Sequence, residues 1–416
     1  MRDRIIMHVD ANSAYLSWAA VDALQHGTSV DYRELPAIVG GNQATKHGIC
    51  LAKSIPAKKY GIKTGETLVE CRRKCPGLVI IPPDYFLYMK CSSAMNELLR
   101  EYSHRVQMFS IDESFLDFSG MEKIFGEPIR AAHEIKDRIH KELGFTVNVG
   151  ISSNKLLAKM AGELKKPNMV HTLFPEEVPA KLWPLPVREL FMVGAATEQK
   201  LHSLGLYTIG DLAGTDIELL KMKFNSWGIM LKSFANGIEE SPVRPEGNSE
   251  IIKGVGNSVT IHFDVTRKED AYMVLLSLVE TVGTRLRLGG FCGRVISVSI
   301  RTDRLFSYSH QKKLITPIDC TDAIYAVTRR LFDEMWRGEP IRHLGVRVSD
   351  LCANDFIQLS FLEENWEKRR LVDRAIDKIR FRYGAAAVYR SVFMWSGIAP
   401  LQGGVVDDYQ MMSSIL

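Results

Sequence analysis

The sequence predicts an α+β fold of several domains, because one βαββαβ pattern occurs twice along its 416 residues. A helical, turn-rich region and a polar linker at residues 241–249 separate the two copies. A chain of this length is too long for a single hydrophobic core, so roughly two to four domains are expected.

The first copy begins with an apolar strand that ends in a carboxylate. Residues 5–15 read Ile-Ile-Met-His-Val-Asp-Ala-Asn-Ser-Ala-Tyr, which predicts a strand followed by a helix. The later elements are a helix at 84–104, a hairpin at 106–118, a helix at Pro128–Leu143, a strand at Thr146–Ile151 and a helix at Asn154–Glu163. The helix at Pro128–Leu143 has one apolar face, formed by Ile129, Ala132, Ile135 and Ile139. Residues 21–74 are predicted to form a small inserted lobe.

The second copy follows the linker, and residues 351–416 are predicted to form a tail with a charged amphipathic helix at Asn365–Tyr383. The elements of the second copy are strands at Ile251–Phe263, Arg294–Arg301, Gln311–Ile315 and Ile341–Leu351 and helices at Lys268–Leu286 and Asp322–Trp336. Basic residues recur on successive strands: Arg294, Arg301, Lys312, Arg342 and Arg347. They form either a solvated sheet face or a surface that binds a nucleic-acid backbone, and their recurrence favours the second interpretation.

Composition excludes several classes of protein. The net charge is only +4, so bulk charge does not by itself indicate a nucleic-acid partner. The seven cysteines have no paired CxxC spacing, and Cys71 and Cys75 lack the further ligands of a zinc site, so reduced thiols in a cytoplasmic protein are expected. No apolar run reaches the ~20 residues of a membrane span, and Asp10 interrupts the N-terminal run too early for a signal peptide.

Three carboxylates carry the strongest chemical signal. Asp10 ends the first strand, and Asp112 and Glu113 lie between apolar residues in the hairpin. A polar turn is the plainest interpretation of that pair, but the usual Gly, Asn or Pro is missing. If the three acids lie close together, each raises the pKa values of the others unless cations lie between them. Ligand sets made only of oxygen atoms suit Mg²⁺ or Mn²⁺ better than zinc. Two such ions are the usual device for phosphoryl transfer.

Two basic segments offer candidate phosphate sites. Lys155 and Lys159 lie one turn apart after the possible helix caps Ser152–Asn154, which is typical either of a phosphate site or of a surface lysine pair. The run Lys53–Lys63 is a solvated charge cluster by itself, and it would clamp a triphosphate placed beside it.

These residues together resemble the Y-family DNA polymerases, the translesion enzymes, over almost the whole chain, and most closely the bacterial DinB and UmuC branches. Five segments carry the resemblance, in the order and at the spacing of the family. They are Val9-Asp-Ala-Asn-Ser-Ala-Tyr15, Ala52-Lys-Ser-Ile-Pro-Ala-Lys-Lys-Tyr-Gly61, Ser110-Ile-Asp-Glu-Ser-Phe-Leu-Asp117, Gly150-Ile-Ser-Ser-Asn-Lys-Leu-Leu-Ala-Lys159 and Leu204-Gly-Leu-Tyr-Thr-Ile-Gly-Asp-Leu212.

The resemblance implies an error-prone, template-directed DNA polymerase without a proofreading exonuclease. Its lobes would be a palm at 1–20 and 75–165, fingers at 21–74, a helix-hairpin-helix-like thumb at 166–240, and a DNA-binding little finger at 250–350 after the linker. Asp10, Asp112 and Glu113, with the Ala11 carbonyl, would hold two Mg²⁺ ions, for which Mn²⁺ can substitute. Primer–template DNA and dNTP would be the partners of a monomeric protein.

The resemblance also assigns residues to the nucleotide. Tyr15 would be the steric gate under the sugar, Lys159 would bind the triphosphate, and Tyr88 would face the phosphates. Ile55 and Lys58 replace the usual tyrosine and arginine of the finger segment. Ile55 therefore lacks the hydroxyl donor of the tyrosine, and the ammonium group of Lys58 is a point charge in place of the bidentate guanidinium group of the arginine. Gly194 is the second glycine of a DNA-binding Gly-x-Gly hairpin whose first position is Met192.

A peptide in the predicted tail resembles the bacterial sliding-clamp binding motif. Its residues are Gln358, Leu359, Ser360, Phe361 and Leu362. Tethering to a clamp would raise the effective concentration of the enzyme at a primer end.

There are two alternatives to an active polymerase. One is a catalytically weakened homologue that binds DNA or the clamp, and the replacement of the usual tyrosine by Ile55 keeps this alternative open. The other is a palm-type nucleotidyl cyclase.

Overall fold

The computed structural model describes residues 4–41, 48–244, 252–355, 366–384 and 387–401. The chain forms two compact units, which lie mainly before residue 245 and after residue 251. The predicted clamp-binding peptide at 358–362 and most of the predicted linker fall outside the described residues.

The first unit combines short strands with many helices. Its strands are β1 (Ile6–Ala11), β2 (Ala37–Gly40), β3 (Cys50–Lys53), β4 (Val79–Ile81), β5 (Val106–Met108), β6 (Glu113–Asp117), β7 (Val147–Ser152) and β8 (Val170–Thr172). Its helices are α1 (Ala14–Gln25), α2 (Ile55–Lys59), α3 (Leu68–Lys74), α4 (Tyr85–Tyr102), α5 (Glu122–Phe125), α6 (Pro128–Leu143), α7 (Lys155–Glu163), α8 (Ala195–His202), α9 (Ile209–Gly214), α10 (Ile217–Phe224) and α11 (Ser226–Ala235).

A five-stranded sheet in the order β5-β6-β1-β7-β8 forms the centre of the first unit. Every residue of β1 and β7 is buried, so the polar residues that these strands carry, among them Asp10 and Asn148, are also enclosed in the sheet. β1 pairs antiparallel with β6 on one side and with β7 on the other, as the predicted βαββαβ order requires.

Helices α4 and α6 bury apolar residues in the main core of this unit. Ala132, Ile135 and Ile139 of α6 are fully buried there, as are Met95 and Leu99 of α4. Ile129, which was predicted to share the apolar face of α6, is instead 50% exposed because it lies in the first turn of the helix, at the edge of that face.

Two smaller cores accompany the sheet. The strands β3-β2-β4 form a three-stranded sheet with α2 and α3, which begin at the N-caps Ser54 and Thr67. Helices α8 to α11 contribute Leu201, Ile209 and Leu220 to another apolar cluster, which also includes Leu157 and Met160 of α7. The inserted lobe therefore has a core of its own, whereas the helical region shares its core with α7.

The second unit contains β9 (Gly254–Val265), α12 (Lys268–Leu288), β10 (Phe291–Thr302), β11 (Ser307–Ile318), α13 (Thr321–Met335), β12 (Ile341–Ala353) and α14 (Trp366–Tyr383). The element order up to β12 is the predicted βαββαβ. The strand order is β11-β10-β12-β9, which differs from that of the first sheet because β10 and β12, rather than the first strand of the unit, lie at its centre.

Buried ion pairs attach α14 to the rest of the second unit. Arg287 of α12 contacts Asp377 at 2.5 Å and Asp373 at 3.4 Å. Arg380 of α14 contacts Glu280 at 2.7 Å, and all five side chains are less than a tenth exposed. Removing one member would leave a buried charge unpaired, so this helix is an integral part of the domain.

Membrane association through a spanning helix is not supported. Among the helices of the described segments, none combines the length and the apolar character that crossing a bilayer would demand.

We predict that Gly150→Ala strongly destabilises the first unit, because β7 and α7 touch at this glycine. A Cβ atom there would lie 1.9 Å from the Ala158 carbonyl oxygen and 2.5 Å from the Gly162 nitrogen, both of which are backbone atoms. The free energy of unfolding, measured with urea, should fall by about 3 kcal/mol or more. Gly77→Ala, which would place its Cβ in open space, is the matched control. Equal stability of the two variants would contradict this packing.

Candidate active site

Strand pairing brings the three predicted acids to one corner of the first sheet. Asp10 is the cross-strand partner of Glu113, at the end of the β1–β6 ladder. The Ala11 amide then donates to the Asp112 carbonyl at 2.9 Å, which holds the turn before β6 against the end of β1. The three acids therefore lie close together because β1 and β6 pair antiparallel in this register.

Burial and neighbouring charges separate the protonation behaviour of the three acids. Burial raises the pKa of Asp10 to about 6, although Lys166 attracts the ionised form. Burial also raises the pKa of Asp112, against a 2.5 Å hydrogen bond from the Ser110 hydroxyl. Burial alone would raise the pKa of Glu113 as well, but the hydrogen bond with His8 and the charge of Lys159 lower it to about 2.

Two lysines balance this negative charge. Lys159, on α7, places its Nζ 2.5 Å from Glu113 Oε2. Lys166, which follows α7, places its Nζ 2.6 Å from Asp10 Oδ2 and 2.8 Å from a Glu163 oxygen. Lys159 was predicted from sequence and Lys166 was not, although the run Lys165-Lys166-Pro167 after a helix was a visible signal.

His8 supports Glu113 from inside the protein. Its ring is fully buried against Phe115, and Nε2 lies 3.2 Å from Glu113 Oε2, whereas Nδ1 has no hydrogen-bond partner. Burial lowers the pKa of His8, so the neutral ring donates Nε2–H to the carboxylate. Sequence reasoning missed His8 because its partner Glu113 is 105 residues away, and only strand pairing brings the two side chains together.

The donor set suits magnesium, although the acids are not arranged as a finished cage. Asp10, Asp112, Glu113 and the Ala11 carbonyl supply only hard oxygen atoms. In the described parts of the chain, no three His, Cys, Asp or Glu side chains form a ready ligand cluster. Burial raises the pKa values of Asp10 and Asp112, and a bound cation would favour their ionised forms.

An aromatic cluster lies beside the corner, on α1 and α4. The rings of Tyr15 and Tyr88 are stacked at 4.2 Å and only 5° apart, and Tyr85 meets Tyr15 edge-on at 6.2 Å. Tyr88 is fully buried and its hydroxyl has no hydrogen-bond partner. The prediction that Tyr88 faces the nucleotide phosphates is therefore corrected, because its hydroxyl is enclosed and its ring supports Tyr15.

Other predicted site residues occupy surface positions. Ile55 and Lys58 lie three residues apart on α2, and both are exposed. Gly194 is the exposed N-cap of α8. Met192, two residues earlier, has a left-handed backbone with φ of 74°, a conformation that glycine adopts at lower cost.

The predicted DNA-binding residues of the second unit do not all share one face. Arg301 and Arg347 are exposed on the face of the sheet that α12 and α13 leave open. Lys312 pairs with the inward-facing Ile296, which places it on the helix side of the edge strand β11. Arg342 is half-buried at an irregularity of β12, and Arg294 is exposed near the Lys313–Asp350 ion pair.

Comparisons with known proteins identify the family. Residues 9–163 match the impB/mucB/samB family, residues 252–361 match its C-terminal domain, and residues 175–206 match the HHH motif of the IMS family. DNA polymerase IV of Clostridium acetobutylicum is 44% identical over 396 residues, covering 94% of this chain and 98% of that protein. The chain belongs to the Y family of DNA polymerases. DNA polymerase IV of Acetivibrio thermocellus is 38% identical over 395 residues, with coverage of 94% and 98%.

Solved Y-family structures share the fold. The Y-family DNA polymerase chimera Dbh-Dpo4(243-245)-Dbh matches with a TM-score of 0.70 at 22% identity, covering 84% of this chain and 100% of that chain. An insertion ternary complex of Dbh DNA polymerase matches with a TM-score of 0.56 at 23% identity, again with coverage of 84% and 100%. The predicted α+β multidomain architecture is confirmed, and membership of the family in both units disfavours the cyclase alternative.

We predict that the metal affinity of this corner falls in acid. A metal ion must displace the proton of Asp10, whose pKa is about 6. The affinity for Mn²⁺ should be nearly constant above about pH 7 and should weaken about tenfold per pH unit below about pH 6, because the neutral carboxyl binds cations poorly. Calorimetric Mn²⁺ titrations at several pH values measure this. Affinity that is independent of pH, or that rises in acid, would contradict the site.

Proposed function

We propose that Asp10, Asp112 and Glu113 form the nucleotidyl-transfer centre of this translesion DNA polymerase. The observation that carries the proposal is the pairing of Asp10 with Glu113, together with the hydrogen bond from Ala11 to the Asp112 carbonyl. These contacts collect acids from distant segments at the end of one buried strand. An oxygen-lined, partly buried corner of this kind suits divalent cations.

The Ala11 carbonyl and the three carboxylates would hold two Mg²⁺ ions, with Mn²⁺ as a substitute. When bound, the ions would lower the pKa of the primer 3′-hydroxyl and neutralise charge on the triphosphate and on the leaving pyrophosphate. His8 and Lys159 both contact Oε2 of Glu113, so Oε1 is the oxygen that faces away from these two partners. The protein thereby fixes the orientation of the carboxylate before metal arrives.

The lysines would exchange partners when substrate binds. Lys166 contacts Asp10 and Lys159 contacts Glu113, so both ammonium groups lie beside the acids that would hold the metal ions of a bound triphosphate. A cation on the carboxylates would release the ammonium groups toward phosphate oxygens. Lys58 of α2 would add a further point charge from the fingers.

Tyr15 would select deoxynucleotides. Its ring cannot retreat, because Tyr88 is stacked behind it at 4.2 Å and is itself fully buried. A ring that is fixed in this way would clash with a ribose 2′-hydroxyl. Tyr88 therefore has a supporting role in this proposal.

Primer–template DNA would be held by several lobes. In this assignment the five-stranded sheet is the palm, the three-stranded sheet and its helices are the fingers, α8 to α11 belong to the thumb, and the second unit is the little finger. Relative to the predicted bounds, β4 moves from the palm to the fingers and β8 moves from the thumb to the palm. The amides at Gly194, where α8 begins, and the exposed Arg294, Arg301 and Arg347 suit contacts with DNA phosphates. Residues 358–362 would bind a sliding clamp, and the working protein would be a cytoplasmic monomer.

We predict that Asp112→Ala abolishes primer extension and leaves DNA binding intact. Losing one of three carboxylates removes a cation ligand without touching the DNA-binding surfaces, so the rate should fall on the order of a hundredfold or more. Gel-based extension with Mg²⁺ and fluorescence anisotropy of labelled primer–template measure the two properties. Asp137→Ala, at an exposed acid on α6, is the control.

Normal extension by Asp112→Ala would refute the metal assignment. If the unaltered protein bound DNA but extended no primer, the catalytically weakened homologue would be the correct description. Both results come from the same assay.

We predict that Tyr15→Ala raises ribonucleotide incorporation relative to deoxynucleotide incorporation by about tenfold or more, because the steric barrier is removed. Single-nucleotide insertion with matched rNTP and dNTP measures the ratio. Tyr88→Phe is the control, since the Tyr88 hydroxyl has no partner and phenylalanine preserves the stack. An unchanged ratio in Tyr15→Ala would remove the gate role.

A further inference from the structure

Asp10 of β1 has a cross-strand partner on each side: Glu113 on β6 and Asn148 on β7. In the β1–β7 ladder Asp10 pairs with Asn148, so their side chains share one face of the sheet. Asn148 is fully buried, in the middle of an otherwise apolar strand. A buried amide at such a position is costly unless each of its polar groups is paired.

Every hydrogen-bonding group of the Asn148 side chain has a partner. The amide Nδ2 donates to the Lys165 carbonyl at 2.7 Å and to the Gly162 carbonyl at 3.0 Å. Oδ1 accepts from the Met169 amide at 3.2 Å and from Asn12 Nδ2 at 3.2 Å. Three of these four bonds go to the backbone at the end of α7 and in the segment that carries Lys166.

Asn12 connects the same segment to the metal-site strand. Its side-chain Oδ1 accepts from the backbone amide of Asn168 at 2.9 Å, and its backbone amide donates to the Thr146 carbonyl at 2.9 Å. Asn12 follows Ala11 directly, so the turn after β1 and residues 165–169 belong to one network of amide hydrogen bonds. Asn168 has a φ of 59° in this network, a conformation that a paired backbone amide helps to maintain.

We infer that Asn148 is a positioning residue that holds Lys166 at the nucleotide site. This inference rests on the proposed function, in which Lys166 moves from Asp10 to the triphosphate. Asn148 touches neither metal nor nucleotide. It fixes the backbone on the N-terminal side of Lys166 through the Lys165 carbonyl and on the C-terminal side through the Met169 amide, which limits where the ammonium group can reach.

The chemistry requires an amide at this position. Alanine would leave the Lys165 and Gly162 carbonyls without their donor. Aspartate has almost the same shape but would direct an acceptor at those carbonyls and add a negative charge beside Asp10. Both changes should displace Lys166, and the loss of nucleotide affinity should be about tenfold, which is the effect of removing a hydrogen bond to a charged group.

The test is a double-mutant cycle between Asn148→Ala and Lys166→Ala. The Kd for the correct dNTP is measured with Mg²⁺ and a dideoxy-terminated primer–template, so that binding is observed without chemistry. Each single variant should weaken dNTP binding about tenfold, and the double variant should bind like Lys166→Ala alone. In steady-state extension, Asn148→Ala should raise KM for dNTP while kcat changes little.

Asn96→Ala is the matched control. Asn96 is also a buried amide of the same unit, but its partners are Ser92 and Ser114, so its effects should add to those of Lys166→Ala. If Asn148→Ala does not fold, Asn12→Ala breaks the same network from the other strand and should show the same coupling. Thermal unfolding of each variant separates loss of fold from loss of affinity.

Additive effects of Asn148→Ala and Lys166→Ala, or unchanged dNTP affinity in Asn148→Ala, would overturn the inference. Unchanged affinity in Lys166→Ala would overturn it as well, because Lys166 would then have no role for Asn148 to support. Failure of the proposed function is distinguished by Asp112→Ala, since normal extension by that variant refutes the metal site whatever the cycle shows.

Discussion

The structure of the acidic corner formed by Asp10, Asp112 and Glu113 depends on the burial of carboxylates beside lysines. Asp10 is buried and Glu113 is partly buried because both lie on strands that pack in the core. The charge of each carboxylate is compensated by one lysine ammonium group at hydrogen-bonding distance. The compensation is partial, because the pKa of Asp10 is still about 6. The helix α7, the segment after it and the neighbouring strand β7 are arranged to deliver the two lysines.

The sequence was sufficient for features that depend on local pattern. Both βαββαβ units were predicted from the order of apolar strands and amphipathic helices, and Asp10, Asp112 and Glu113 were singled out because acids are unusual next to apolar strand residues. The residues that were missed act across long sequence separations. Lys166 and Asp10 are 156 residues apart, Asn148 and Asn12 are 136 apart, and His8 and Glu113 are 105 apart. Only the register of the strands brings them together, and periodicity contains no information about register between distant strands.

The second unit shows the same limit in another way. Its element order was predictable, but the strand order β11-β10-β12-β9 was not, because one element order is compatible with several arrangements of strands. The register between strands was not predictable either, and the pairing of Lys312 with Ile296 places Lys312 on a different face from Arg301 and Arg347. The C-terminal helix α14 is attached through charged rather than apolar residues, with Arg287 and Arg380 among its buried contacts. Amphipathic pattern predicts such a helix but not which of its faces is buried.

The left-handed backbone of Met192 shows that the packing of neighbouring residues can determine the conformation of a turn. A residue with a Cβ is roughly 1–2 kcal/mol less stable than glycine in that conformation, so the residue itself does not favour the turn. Its neighbours Leu190 and Val193 are buried, with 1% and 6% of their surfaces exposed, and their packing imposes the path of the chain. The scaffold therefore specifies the geometry of this turn even though a residue with a side chain occupies the left-handed position.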